Sequence, residues 1–229
     1  MKTTVPIKSP TVVLLVSALL GLVGCTNSLV VEGKFPPPHV DKVPLTMGVL
    51  YPDEFRRYTY KEESSDRSKW VIASGDAQVQ LFSTVLSSMF EQLVVVETIP
   101  PESPENPPDL ILSPSINEFQ YAVPRETKVN VFEVWIKFNL RVYDQEGELV
   151  ADWILPAYGK TPSAFLKSKE EAMNEAVVVA LRDIGASLSL GFSHVPEIKA
   201  WLEQQQQKSG RQVKNNKIHL TKYFTLVVK

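Results

Sequence analysis

The chain has one cysteine, Cys25, and three histidines, His39, His194 and His219, in 229 residues. A lone cysteine permits no internal disulfide, so any folded domain must rest on its apolar core. The histidines show no ligand spacing and there is no second cysteine, which leaves out the common zinc frameworks. Gly-x-Ser-x-Gly, Ser-x-x-Lys, His-Glu-x-x-His and phosphate-loop patterns are all missing, so no motif supports hydrolytic, zinc-peptidase or nucleotide chemistry. The acidic pairs Glu62-Glu63 and Glu170-Glu171 fall in a charged stretch and in the first turn of an expected helix. Solvation and the helix dipole account for them without glycosidase chemistry. The most charged stretch, Asp53 to Lys69, balances five acids with five bases, so it implies neither a nucleic-acid nor an anionic-membrane partner.

The amino terminus does carry a pattern. Lys2 and Lys8 precede an apolar run from Thr11 to Val23, which ends in the small residue Gly24 before Cys25. This is the layout of a secretory signal peptide. The run is about 13 residues long, short of the roughly 20 that a membrane-spanning helix needs. Leu22-Val23-Gly24-Cys25 resembles the lipobox of bacterial lipoproteins at every position. That resemblance implies cleavage before Cys25, acylation of Cys25 with three chains and a permanent hold on a membrane, since each buried methylene adds about 0.8 kcal/mol. It also implies the outer membrane, facing the periplasm, because Thr26 rather than Asp follows the cysteine.

Loss of Lys2 and Lys8 with the leader takes the formal charge from −2 to −4. The last 22 residues hold six basic and no acidic side chains, so 25 to 205 carry −10. An acidic body with a basic tail makes Lys208, Arg211, Lys214, Lys217 and Lys222 candidate contacts for a partner or an anion. The mature length suits one domain with extensions. Residues 1–24 read as signal peptide, 25–43 as a lipidated tether stiffened by Pro36-Pro37-Pro38, 44–205 as the domain, and 206–229 as a tail that could form a strand through Ile218, Leu220, Phe224, Leu226 and Val228.

Within the body, period-2 alternation predicts a strand at Leu45–Tyr51, ended by Pro52. Asp53–Lys69 reads as an exposed loop with a short ribbon at Tyr58–Lys61. Phe82, Val85, Leu86, Met89, Phe90 and Leu93 share one helical face, which predicts a helix from about Asp76 to Leu93, followed by a buried strand at Val94-Val95-Val96. Asp109–Val123 is an extended stretch whose apolar parity changes between Ile116 and Phe119, which requires a bulge near Asn117-Glu118. Val129–Tyr143 alternates without a break. Asp144 to Gly147 turns it into a hairpin with Leu149–Leu155. Trp135 and Trp153 stand off the plain pattern, as an exposed patch or as cross-strand pairs. Ser168 and Glu171 form a capping box for a second long helix with many small residues, and Pro196 opens a further turn or two.

The element order gives an α+β fold, an antiparallel or mixed sheet with two main helices packed on one face. The lipobox, the order of elements over about 44–192, the Pro-Asp-Leu-Ile-Leu at 108–112 and the 144–147 hairpin are similar to small outer-membrane accessory lipoproteins of the LPS-assembly (LptE-type) and YajG-like kinds. The charged insertion at Asp53–Lys69 and the basic tail depart from them. The resemblance implies a non-enzymatic accessory protein or adaptor with an envelope protein as partner, anchored to the membrane by lipid and using no cofactor or metal. The alternative expectation is a binding protein for a lipid or other amphipathic ligand, held near Phe82, Met89 and Phe138.

Overall fold

A computed structural model describes residues 26–102, 107–163 and 167–207. Two sheets organise them. The larger has five strands: β2 (Val43–Val49), β5 (Phe90–Val95), β6 (Leu110–Ala122), β7 (Val131–Asp144) and β8 (Leu149–Pro162), in the spatial order β5-β2-β6-β7-β8. The first three run parallel and β6-β7-β8 is an antiparallel meander. The smaller sheet joins β1 (Asn27–Val30), β3 (Thr59–Lys61) and β4 (Trp70–Ala73) in the order β1-β4-β3. Helices α2 (Gly75–Met89) and α4 (Lys169–Gly191) pack on the inner face of the large sheet. Short turns α1 (Asp53–Arg56) and α3 (Pro124–Thr127), and a terminal helix α5 over 196–207, complete the described fold. The expected α+β class and mixed sheet are observed.

The one-sided sheet follows from side-chain alternation. Phe132, Val134, Ile136, Phe138, Leu140 and Val142 of β7 are all buried, while Trp135 and Lys137 between them face outward. In β6 the register shifts between Ile116 and Glu118, leaving Asn117 unpaired. This is the bulge that the parity change demands, and it returns Phe119 and Tyr121 to the core. Gly147, at φ 85°, takes the left-handed position that closes the β7–β8 hairpin.

Helix α4 begins with the predicted capping box: the Ser168 hydroxyl accepts from the Glu171 amide at 3.0 Å, and the Glu171 carboxylate accepts from the Ser168 amide at 2.8 Å. Ala172, Ala176 and Ala180 then let the helix lie directly on β8 at Gly159. The helix is long and apolar enough to cross a membrane. Its apolar stripe, including Met173, Val177, Leu181 and Ile184, is instead spent on the core.

Four expectations change. Helix α2 stops at Met89, four residues early, because Phe90 switches to extended backbone (φ −117°, ψ 155°) and β5 pairs with β2 with no loop between helix and strand. Phe90 and Leu93 therefore belong to the strand, where an odd separation puts them on opposite faces: Phe90 is buried and Leu93 only half-buried, and the strand expected as buried at Val94-Val95-Val96 is an edge strand with Val95 61% exposed. The first large-sheet strand is Val43–Val49 rather than Leu45–Tyr51, with Tyr51 buried just beyond it. The charged 53–69 stretch contains the expected ribbon as β3, but also α1, whose Phe55 is 2% exposed and contacts the rings of Tyr51, Phe82 and Phe138. It is thus an attached part of the fold rather than a free loop.

The fourth change concerns 25–43. The stretch read as a tether enters the fold at Asn27: β1 pairs in parallel with β4, and Leu29, Val31 and Phe35 are buried. Helix α4 clamps the chain just beyond β1. Asn174 exchanges two 2.9 Å hydrogen bonds with the Glu32 backbone, and the Arg182 guanidinium donates to the Lys34 carbonyl at 2.9 and 3.1 Å. Pro36-Pro37-Pro38 lies beside the groove between α2 and α4, near Leu81, Val85 and Gly185. Polyproline stiffness here lays the chain along a surface instead of extending it away from one.

Candidate functional site

The sequence candidates fall into three groups. Leu22, Val23, Gly24 and Cys25 lie outside the described residues, and so do Lys208, Arg211, Lys214, Lys217 and Lys222. Phe82, Met89 and Phe138 are brought together, as core: they are 1, 3 and 0% exposed, and the Phe82 and Phe138 rings sit 5.7 Å apart. The crevice beside Phe82, between α2 and α4, is too narrow for even a water molecule. Helix and sheet side chains fill the space where an amphipathic ligand was expected. Among the described residues, no His, Cys, Asp or Glu side chains gather as a metal site.

Trp135 and Trp153 separate. Trp153 points inward, edge-on to Phe192 at 6.3 Å. Trp135 is directly opposite Tyr158 in the β7–β8 register, with ring centroids 5.4 Å apart, and the two are 39 and 36% exposed. The Tyr158 hydroxyl donates to Glu133 at 2.6 Å, and this bond to a carboxylate, with some burial, pushes the phenol up to about 12. With Ile154, 46% exposed, they form an aromatic and aliphatic strip on the outer sheet face, bordered by the Lys137–Glu118 and Arg141–Asp152 ion pairs.

The most constructed region is the end of the molecule where β1 starts. Asn27 pairs with Trp70, and its amide and side chain both donate to the Lys69 carbonyl, at 2.9 and 3.1 Å. Trp70 is 1% exposed and lies edge-on to Tyr121 and Phe132, fixing the small sheet to β6 and β7. Here a cavity of about 260 Å³ opens, with Trp70, Val123 and Phe132 as its apolar floor and Asn27, Arg125 and Lys169 among its polar lining. Ligand pockets run from about 300 Å³ upward, so this one suits a headgroup or a single side chain rather than a whole lipid.

Arg67 closes that end. Its guanidinium donates to Glu62 at 3.0 Å, to both Glu126 oxygens at 3.0 and 3.3 Å and to the Tyr121 carbonyl, and lies 4.4 Å over the Tyr121 ring. The Tyr121 hydroxyl in turn donates to the Ser68 carbonyl. The clasp draws the 62–69 loop onto the end of β6 and onto α3. Hydrogen bonding from Arg67, against a smaller opposing effect of burial, holds the Glu126 carboxyl below its ordinary value. Burial would raise Glu62, but the Ser64 amide, the nearby Tyr121 hydroxyl, Arg67 and Tyr60 outweigh it, and its carboxyl also titrates low.

Both carboxylates have folded-state pKa values below their unfolded ones, so their contribution is complete above the unfolded value of about 4.3 and is lost as pH falls through the lower folded values. Arg67→Ala is therefore expected to destabilise the protein by about 1–2 kcal/mol at pH 7, after allowance for partial solvent exposure. Urea midpoints should show that gap between variant and wild type, and the gap should narrow below about pH 4. A gap unchanged at pH 3 would mean that the clasp acts by packing alone.

Of the Trp135–Tyr158 strip only Trp135 stood out in the sequence, and the cavity beside Asn27 was not recognisable there at all. The first needed the β7–β8 register, and the second needed six chain segments brought to one end.

No family model matches the chain, and no curated protein does. Solved structures do. A Xanthomonas campestris protein of the DUF330 family matches with a TM-score of 0.49 at 11% identity, covering 80% of this chain and 99% of that one. A minor lipoprotein from Acinetobacter baumannii matches with a TM-score of 0.41 at 11% identity, covering 67% and 94%.

Proposed function

We propose that the chain is a non-enzymatic lipoprotein of the bacterial envelope, held by acylated Cys25 in the outer membrane and facing the periplasm. In this reading it serves as an accessory or adaptor for an envelope protein. The observation that carries it is the position of the fold relative to the lipobox. The first described strand, β1, starts at Asn27, two residues after Cys25, and is built into a sheet. Cleavage before Cys25 would leave a mature protein whose anchor and domain are continuous.

The adaptor role is supported by surface rather than by a cleft. The Trp135–Tyr158–Ile154 strip offers aromatic area that is exposed but rigid, the kind of side chain enriched at protein contacts. The basic tail, with Lys208, Arg211, Lys214, Lys217 and Lys222, supplies a second candidate contact. A lipid carrier role is less well supported, because Phe82, Met89 and Phe138 are close-packed.

Cys25→Ser tests the anchor. In cells expressing the variant, the protein is expected to leave the membrane fraction, and the wild-type amino-terminal peptide should carry the mass of its acyl chains. Wild-type protein with an unmodified Cys25 would refute the reading. Crosslinked envelopes should yield a stoichiometric protein partner with the wild type, and loss of that partner on Trp135→Ala would assign the strip.

A further inference from the structure

The geometry points to a specific membrane-facing surface: the end of the domain that carries Asn27, Arg125, the Lys128-Val129 tip and Lys169 rests on the bilayer, with Val129 at the interface and the basic side chains on anionic headgroups. This rests on acylation of Cys25. A trans chain advances at most about 3.6 Å per residue, so two residues place Asn27 within about 7 Å of the anchor. The headgroup layer on each side of a bilayer is itself about 5–7 Å thick. The β1 end of the fold thus has no slack with which to stand away from the surface.

The residues at that end fit the assignment. The connection from α3 to β7 places Lys128 and Asn130 at φ 60° and 52°, and Val129 between them is 66% exposed. The Ser163 amide donates to the Asn130 carbonyl at 2.9 Å, tying this tip to the end of β8. Arg125, Lys128 and Lys169 are exposed, and among the described residues none of them lies within 4 Å of a carboxylate. The carboxylates of Glu62 and Glu126 at the same end are already taken by Arg67. Arg125 and Lys169 line the 260 Å³ cavity over Trp70 and Phe132, which has room for the phosphate and glycerol of one anionic lipid. A small apolar tip flanked by cations is the chemistry of an interfacial contact, in which apolar burial and attraction to anionic lipid add.

The opposite end supplies the control. The 14 residues of β7 separate Val131 from Asp144 by about 40 Å at the usual rise, so the 144–147 turn should stay in water. Acylation consumes the only cysteine, so a cysteine introduced at Val129 or at Glu146 can be labelled uniquely with a fluorophore. Full-length lipidated V129C and E146C would be reconstituted into vesicles of phosphatidylethanolamine and phosphatidylglycerol (3:1) containing a lipid with a headgroup-proximal nitroxide. The label at 129 should be quenched at least fivefold more than the label at 146. Arg125→Glu with Lys169→Glu should reduce that quenching. Protein that floats with the vesicles while its 129 label is quenched no more than the 146 label would overturn the orientation and leave the anchor intact. Protein that fails to float would overturn both, and equal quenching with a protein crosslink at 129 would make this end a protein contact instead.

Discussion

Gly159→Val is expected to remove most of the stability of the domain. A Cβ at Gly159 would stand 2.0 Å from the Ala176 carbonyl oxygen and 2.4 Å from the Ala180 amide nitrogen, with the Ala180 Cα at 3.1 Å. Those atoms are backbone of α4, so no side chain can turn aside; the helix itself would have to lift from β8. Even Gly159→Ala meets this overlap. Overpacking in a closed core costs about 1–3 kcal/mol where neighbours can adjust, and more where they cannot. Against a total stability of about 5–15 kcal/mol, a loss of about 4 kcal/mol or more for the valine variant would leave a marginal or unfolded protein. Urea denaturation would register it as a large fall in the midpoint. Gly191→Ala is the matching control, since nothing lies within 4 Å of a Cβ there and the residue is helical. That change should be neutral or stabilising by up to about 1 kcal/mol. If Gly159→Ala behaved like Gly191→Ala, the close docking of α4 on β8 would be refuted.

The same contact shows why parts of this fold were readable. Strand β7 alternates over its whole length, so its inner face could be named residue by residue, and the change of parity in β6 located the bulge because a pleated strand has no other way to change faces. Ser168 and Glu171 announced the start of α4 through hydrogen bonds that span only three residues. What failed depended on partners far along the chain. Phe90 has the right spacing for α2, and only the parallel edge of β2 draws it into β5. Asn27-Ser28-Leu29-Val30 is too short and too polar to show a period, and it becomes a strand because Trp70-Val71-Ile72-Ala73 lies beside it and α4 holds Glu32 and Lys34 from the other side. The cavity beside Asn27 inherits that difficulty, since its lining comes from β1, β4, the α3 turn, β7, Ser163 just past β8 and the start of α4. The aromatic strip was half legible: Trp135 stood out, but Tyr158 was beyond the strand boundary at Leu155.

The attachment of β1 changes what the lipobox means mechanically. A spacer from 25 to 43 would let the domain turn freely above the membrane, and no face of it would be favoured. With Cys25 acylated as proposed, a strand that starts two residues from the anchor would fix one end toward the bilayer and leave the outer sheet face, with Trp135 and Tyr158, roughly parallel to the direction leading away from it. An envelope partner would then meet a surface of defined height and orientation.

Amide hydrogen exchange at Asn27 and Val31 in the mature, folded protein gives the sharpest test of the oriented anchor. These amides donate to the Lys69 and Ala73 carbonyls at 2.9 and 2.8 Å, at the two ends of the β1–β4 ladder. Opening the segment requires exposing Leu29, Val31 and Phe35 and releasing the Asn174 and Arg182 contacts, which places it well above the near-zero opening cost of a mobile end. With an opening free energy of about 3 kcal/mol or more, exchange should be slowed by at least about a hundredfold relative to the free peptide. Exchange of both amides at the free-peptide rate, while Val134 and Leu140 remain protected, would mean that 25–35 is a tether after all and would contradict the oriented anchor.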